Sequence, residues 1–126
     1  MSQVDWATVK HFKSSEFDSP DEPGSALFRM HREIVGPLDY IRENCGFPLI
    51  VTSGFRTLAH NDQVGGVDGS AHTEGYAADL ACRTSQQRYK IIYYAMEIGI
   101  RRIGIAKTFV HLDTSPFLPA EVTWLY

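Results

Sequence analysis

The chain has 126 residues, of which 44% are hydrophobic and 21% are charged, with a formal net charge of −3 and a pI of about 5.9. This length suits one hydrophobic core, so we expect a single domain spanning residues 1–126. The acidic balance argues against nucleic-acid binding, which normally requires a basic surface, and the pair Arg101-Arg102 is interpreted as a solvated edge. The N-terminus from Met1 to Trp6 has no basic or apolar region and no apolar run reaches membrane length, so we expect neither a signal peptide nor a transmembrane segment.

The first predicted element is a helix that begins after Ser25, a residue suited to an N-cap. Apolar residues then recur at intervals of three and four up to Cys45, and Gly46 is placed to end the helix. Gly36-Pro37 interrupts the stripe, so we expect either a kink or two abutting helices.

The second half of the chain alternates strands with one long loop and one helix. Residues 49–52 and 77–81 are predicted strands, separated by a glycine-rich loop from Ser53 to Gly75, and such a loop is usually functional. Ser85 is the predicted cap of a second helix that ends at Gly99. Residues 102–105 and 109–112 are expected to form a hairpin, and residues 122–125 an edge strand. The order favours an α+β fold, a small and mostly antiparallel sheet with helices packed on one side.

Two cysteines, Cys45 and Cys82, are too far apart in sequence for a redox or thiolate zinc motif. We interpret them as two buried free thiols, although two isolated positions also permit a single disulfide.

Two histidines and a carboxylate provide a candidate zinc site: His72 in the long loop, Asp79 on the following strand and His111 on a distant strand. This donor set is typical of catalytic zinc, with the fourth tetrahedral position left for water. Ligands from a loop and two strands can converge at one end of a sheet. By spacing alone, this pattern does not distinguish a metal site from an ordinary polar cluster.

The segment from Ser70 to Asp79 reads Ser-x-His-x-x-Gly-x-Ala-x-Asp, and with a distant strand histidine it resembles the M15 zinc peptidases. That family includes D-alanyl-D-alanine carboxypeptidases and phage L-alanyl-D-glutamate endopeptidases. Further segments resemble its M15_3 branch: residues 12–17 (Phe-Lys-Ser-Ser-Glu-Phe), 53–56 (Ser-Gly-Phe-Arg), 60–61 (His-Asn), 64–66 (Val-Gly-Gly) and 109–113 (Phe-Val-His-Leu-Asp). The resemblance covers nearly the whole chain and implies the fold of the D,D-peptidases and the Hedgehog signalling domain, with one zinc ion.

The same resemblance implies that His72, Asp79 and His111 hold the zinc. It implies that Arg56 binds a substrate carbonyl or carboxylate, for which a permanently charged guanidinium is suited, although Arg56 could instead pair with a nearby acid. Ser53 and Ser70 are candidate substrate contacts, and Ser70 can also fix the shape of the turn.

The catalytic base is the weakest point of the match, because many relatives carry an acidic residue where this chain has Thr108. Asp113 is our candidate for the base that takes a proton from water and passes it to the leaving amine. The alternative is that Asp113 orients a ligand histidine. Glu74 is a weaker candidate, since it also fits a solvated loop residue.

The resulting hypothesis is zinc-dependent hydrolysis of peptide bonds in peptidoglycan stem peptides or cross-bridges. We expect the protein to be a monomer and to reach the cell wall after phage lysis or by delivery with a virion. One alternative is an inactive, zinc-bearing wall-binding or phage structural module, which the threonine at position 108 favours. Another is a peptidase for soluble D-dipeptides. A serine or cysteine hydrolase is disfavoured, because the sequence lacks a G-x-S-x-G motif and neither cysteine has an evident partner.

Overall fold

A computed structural model describes residues 3–126, and the N-terminal prediction lies partly outside this range, since it concerns Met1 and Ser2. Two short 3-10 turns, Trp6–Thr8 and Ser14–Phe17, precede three helices and five strands. The helices are α1 (Arg32–Cys45), α2 (Leu58–Gln63) and α3 (Ser85–Glu97). The strands are β1 (Val51–Ser53), β2 (Ala77–Ala81), β3 (Arg102–Ile105), β4 (Phe109–Asp113) and β5 (Val122–Leu125).

The five strands form one sheet in the order β1-β2-β4-β3-β5. All neighbouring pairs are antiparallel except β3 and β5, which are parallel. The predicted α+β class, the β3–β4 hairpin and the edge position of β5 are therefore confirmed.

One face of the sheet is apolar and the other carries polar residues, because side chains alternate between the two faces along each strand. On β2 and β4, Leu80, Val110 and Leu112 join the buried core together with side chains from the helices. Helix α3 packs on β4, and α1 packs on α3, so the long helices cover this face. Asp79 and His111 occupy the alternate positions and therefore lie on the opposite face, where the candidate site is.

The predicted start of the first helix is wrong. Ser25 does not cap a helix; its hydroxyl accepts a hydrogen bond from the Ser19 backbone N–H at 2.9 Å. Residues 24–29 instead form successive turns, which the Asp18 carboxylate holds by accepting from the Gly24 and Ala26 N–H groups. Met30 of the predicted apolar stripe is buried, but Leu27, the first residue of that stripe, is 40% exposed. The apolar spacing therefore indicates neither the helix nor the buried face at this end.

Helix α1 is continuous through Pro37, so the alternative of two abutting helices is wrong. Proline lacks an N–H and removes one hydrogen bond of the helix. The freed carbonyl belongs to Glu33, whose residue is exposed, so water can satisfy it. Gly46 ends the helix in the left-handed conformation (φ 78°), as predicted.

The long loop contains a helix that the sequence analysis missed. Helix α2 has only six residues, too few for a recognisable apolar period. Its sequence signal is Thr57, whose hydroxyl accepts from the His60 N–H at 3.1 Å and so caps the first turn. For α3 the cap is Thr84 rather than Ser85, one residue earlier than predicted.

Cys45 and Cys82 are both buried and free, which confirms the favoured interpretation. Within residues 3–126, no helix combines the length and the apolar character needed to cross a membrane.

Gly75 fixes the turn that leads from His72 into β2, and its replacement provides a test of the fold. Its φ is +78°, and a Cβ atom built there would lie 1.8 Å from the Arg29 carbonyl oxygen. We expect Gly75→Ala to lower the free energy of unfolding by about 3 kcal/mol, combining left-handed strain with overpacking against backbone. The measurement is urea unfolding followed by circular dichroism.

Gly69→Ala is the matched control, because Gly69 also has a positive φ (74°) but open space at its Cβ position. It should cost only about 1 kcal/mol of left-handed strain. Equal losses in the two variants would contradict the contact between this turn and the Arg29 carbonyl.

Candidate metal centre

His72, Asp79 and His111 come together at the floor of a cleft on the exposed face of the sheet. Asp79 and His111 are direct cross-strand partners in the β2–β4 register. His72 reaches them from the preceding turn, where its carbonyl accepts from the Arg56 N–H at 3.1 Å. All three side chains are buried, so the sequence-predicted trio meets in one place.

One ligand atom from each residue points to a common centre. Asp79 Oδ1 lies 2.9 Å from His111 Nδ1 and 3.3 Å from His72 Nε2. The two histidine nitrogens are 3.2 Å apart. Side chains this close and this buried need a shared positive partner or shared protons.

The outer nitrogen of each histidine already has an acceptor. His72 Nδ1 donates to the Gly54 carbonyl oxygen at 2.7 Å, and His111 Nε2 donates to Asp113 Oδ2 at 2.6 Å. In the neutral imidazole these assignments leave a lone pair on His72 Nε2 and on His111 Nδ1. Both lone pairs face the Asp79 carboxylate, which can only accept.

Three converging lone pairs with no donor among them are the arrangement that a cation requires. Imidazole nitrogen and carboxylate oxygen are zinc donors, and zinc-bound histidines usually donate their other N–H to a carbonyl or carboxylate. Gly54 and Asp113 supply those two acceptors here. The donor chemistry of this cluster therefore fits zinc.

The protonation states of His72 and Asp79 favour metal binding. Burial lowers the pKa of His72, which keeps its imidazole neutral. Burial opposes the charged form of Asp79, but its contacts with the His111 and His72 rings outweigh the burial and hold the pKa of Asp79 well below its usual value. A neutral histidine and an ionised carboxylate are the forms that bind a metal.

His111 lies between two carboxylates, and its pKa is raised although burial alone would lower it. Hydrogen bonds to Asp113 and Asp79 outweigh the burial. The pKa of Asp113 is lowered for the complementary reason, since its bond to His111 outweighs the burial of the carboxyl. The two carboxylates beside His111 thus favour positive charge at this cluster.

Asp113, the candidate catalytic base, has both oxygens engaged and is 1% exposed. Oδ2 accepts from His111, while Oδ1 accepts from Arg102 Nε at 2.7 Å and from the Ser115 N–H at 3.2 Å. These contacts favour the alternative role, in which Asp113 orients His111. Its role as the base stays a prediction.

Arg102 is not the solvated edge that we expected. Its side chain is 14% exposed and pairs with Asp113, while the neighbouring Arg101 is exposed. The hairpin register places Arg102 directly opposite Asp113, so the cross-strand pair follows from the β3–β4 hairpin. The sequence signal was the opposite charge at these two positions.

Arg56 lines the cleft beside Asp79, and its guanidinium is fixed on three sides. Nε donates to Ser53 Oγ at 3.0 Å, Nη1 donates to Asn61 Oδ1 at 3.2 Å, and Nη2 lies 3.5 Å from Asp79 Oδ2. The pairing with a nearby acid therefore exists, and the pre-positioned guanidinium also faces the space beside the metal centre.

Ser53 and Ser70 both contact protein groups of the site. Ser53 orients Arg56, and the buried Ser70 hydroxyl accepts from the His72 N–H at 3.2 Å. Direct contact of either serine with substrate stays a prediction.

Thr108 and Glu74 contribute nothing visible to the cluster. Thr108 is exposed just before β4, where its carbonyl accepts from the Cys82 N–H, and Glu74 is exposed in the turn before β2. Among residues 3–126, the only acidic residues that line the cleft are Asp79 and Asp113.

The cleft has a volume of about 650 Å³, enough for a short peptide. Apolar residues of the cleft lining flank the metal cluster, and none of them was predicted from the sequence as a site residue. They include Val64 and Val67 from the long loop, Phe109 from β4, and Leu118, Val122, Trp124 and Tyr126 from the segment around β5.

Comparison with known proteins gives one family match. A family model described as Peptidase M15 matches residues 10–113, most of the chain, and confirms the resemblance seen in the sequence. No curated protein matches the chain.

The orienting role of Asp113 can be tested by Asp113→Asn. This variant weakens the acceptor for His111 Nε2 and should lower zinc affinity about 10–100-fold, the usual effect of losing a partner behind a metal ligand. The measurement is competition for zinc with a chromophoric chelator, and Asp62→Asn, which changes an exposed carboxylate on α2, is the control. Unchanged zinc affinity with lost hydrolysis would instead favour Asp113 as the base.

Proposed function

The chain belongs to the peptidase M15 family and is therefore a peptidase, and we propose that it hydrolyses peptide bonds of bacterial peptidoglycan with a zinc ion held by His72, Asp79 and His111. The observation that supports this proposal most directly is the convergence of three acceptor atoms at the floor of the cleft beside Arg56. A zinc ion bound there would polarise the scissile carbonyl and activate water at neutral pH.

The protein's own contribution is to hold the reacting groups in place before substrate arrives. The Gly54 carbonyl and Asp113 fix the ring orientation of the two histidines. Arg56, held by Ser53 and Asn61, places a permanent positive charge where a carbonyl oxygen becomes negative during hydrolysis. Such preorganised charge needs no rearrangement during the reaction.

Charge in the cleft favours a substrate that carries carboxylates. Arg56 and Arg102 are balanced by Asp79 and Asp113, so a bound dication leaves the cleft positive. Peptidoglycan stem peptides contain D-residues with free carboxylates, which suits this field. Both reactions of the family, removal of D-alanine and cleavage between L-alanine and D-glutamate, fit these features.

The proton acceptor for the attacking water is assigned to Asp113 in this proposal, although its contacts also suit a positioning role. Among residues 3–126, Asp79 is the other acidic residue of the cleft, and it is a proposed ligand. We further propose that the enzyme acts as a monomer and meets the wall after phage lysis or delivery by a virion.

A second candidate function is binding of the wall without hydrolysis. It is favoured by Thr108 at the usual acidic position and by the full engagement of both Asp113 oxygens. A binder would sediment with purified peptidoglycan but release no new amino groups.

The proposal is tested by identifying products from defined muropeptides by mass spectrometry. We expect zinc-dependent release of stem-peptide fragments, loss of activity with a chelator and recovery when zinc is restored. His72→Ala should lower kcat/KM by about a thousandfold or more, because metal catalysis supplies several kcal/mol of the rate enhancement.

His11→Ala is the matched control, since His11 contacts Glu43 on α1 and lies outside the cleft. It should retain wild-type activity and zinc content. An active His72→Ala protein without bound metal would refute the assignment, and the masses of the products would distinguish endopeptidase from carboxypeptidase activity.

A further inference from the structure

Strand β5 forms one wall of the cleft, although it lies outside the part of the chain that the family model matches. Its residues Val122 and Trp124, and the adjoining Tyr126, face the metal cluster across β3. Residues 114–126 therefore contribute to the site without being part of the matched region.

Trp124 reaches the metal cluster because β3 carries a glycine at the point of contact. Gly104 is the register partner of both His111 on β4 and Trp124 on β5. A Cβ atom at Gly104 would lie 2.6 Å from the indole Nε1. The bare backbone lets the indole lie over β3, with its ring centre 5.3 Å from that of His111.

A cation–π contact with Arg102 also holds the indole in place. The Arg102 guanidinium lies over the Trp124 ring at 5.2 Å, and the same guanidinium pairs with Asp113. Cation–π contact and ion pair together fix Trp124 relative to His111. Trp124 is thus a preorganised surface rather than a mobile side chain.

Tyr126 extends this surface outward and leaves most of its own area free. Its ring lies 5.0 Å from that of Phe109 and 6.4 Å from that of Trp124, yet the residue is 67% exposed. A large aromatic group that is supported on one side and exposed on the other is suited to bind a ligand with little loss of entropy.

The charges around this wall restrict what it can bind. Asp79 is engaged by the histidines and Arg56, and Asp113 by His111 and Arg102. Among residues 3–126, the cleft lining offers no other acidic side chain. The wall therefore offers apolar and aromatic contact area rather than a carboxylate side chain.

We propose that Trp124, Tyr126 and Val122 form an apolar subsite that binds a neutral, apolar side chain next to the scissile bond. This inference rests on the proposed peptidase function and adds a specificity determinant to it. The subsite selects its side chain by apolar and aromatic contact area.

The test uses a muropeptide that the wild type cleaves and two variants of it, in which the residue on either side of the scissile bond is changed to glycine. The wild type should cleave one of these glycine peptides at least about fourfold less efficiently than the parent, since removal of the side chain removes its apolar contact with the wall. Tyr126→Ala should raise KM for the parent peptide about tenfold and change kcat by less than about twofold, because the wall binds substrate away from the reacting atoms.

Two further variants separate substrate binding from folding. Tyr126→Phe keeps the aromatic surface and should raise KM less than Tyr126→Ala does. Tyr89→Ala removes an equally exposed aromatic residue from α3, outside the cleft lining, and should also leave KM unchanged. Zinc affinity should be the same in all of these proteins, since none of the changes touches a ligand.

A binding measurement gives a readout that does not depend on turnover. Trp6 and Trp124 are the two tryptophans, so Trp6→Phe leaves Trp124 as the sole indole. A peptide analogue with a reduced, uncleavable bond should change the Trp124 emission saturably in the zinc-loaded protein, and Tyr126→Ala should weaken this binding about tenfold.

Cleavage by the wild type with an unchanged KM in Tyr126→Ala would overturn the subsite while leaving the proposed function intact. The same holds if Tyr126→Phe is as impaired as Tyr126→Ala, or if both glycine peptides are cleaved as well as the parent. If the wild type cleaves no peptidoglycan peptide, the proposed function fails and the subsite falls with it.

Discussion

The site depends on one constraint, the antiparallel register that pairs Asp79 on β2 with His111 on β4. Because side chains alternate along a strand, this register places both residues on the face opposite the helices while Leu80 and Val110 enter the core. A shift by one residue would bury the two polar ligands in the core and expose the apolar pair. The same packing that stabilises the sheet therefore fixes the geometry of the metal centre.

The site also requires that each of its buried polar groups has a partner. Asp79, Asp113, His72 and His111 are all buried, and each carboxylate is paired with an arginine, Asp79 with Arg56 and Asp113 with Arg102. Breaking such a pair leaves a buried charge and is costly. The outer contacts also fix which histidine nitrogen carries hydrogen, so that the remaining lone pairs converge. Stability and the proposed metal binding therefore depend on the same hydrogen bonds.

The sequence predicted the fold class, the positions of the strands and the residues that meet at the cluster. The strands were predictable because β2 and β4 are short, apolar and bounded by turns, and the trio because its motif resembled a family. The start of α1 was not predictable, since Ala26 and Met30 are buried in turns that are held by Asp18 rather than in a helix. Helix α2 was not predictable because its six residues are too few to show a helical period. The contacts of Asp113 with Arg102, and the place of Trp124 over Gly104, needed the register of β3 with β4 and β5. The spacing of residues along the chain does not determine how the strands are aligned.

The most direct test of the metal centre is a crystal structure of the zinc-loaded protein, with the ion located by anomalous scattering. The account predicts one ion bound by His72 Nε2, Asp79 Oδ1 and His111 Nδ1, at about 2.0–2.2 Å from each, with the fourth position open to water. The Gly54 carbonyl and Asp113 should still accept from the outer histidine nitrogens. An ion held elsewhere, or a His111 ring turned away from the His72 and Asp79 pocket, would contradict it.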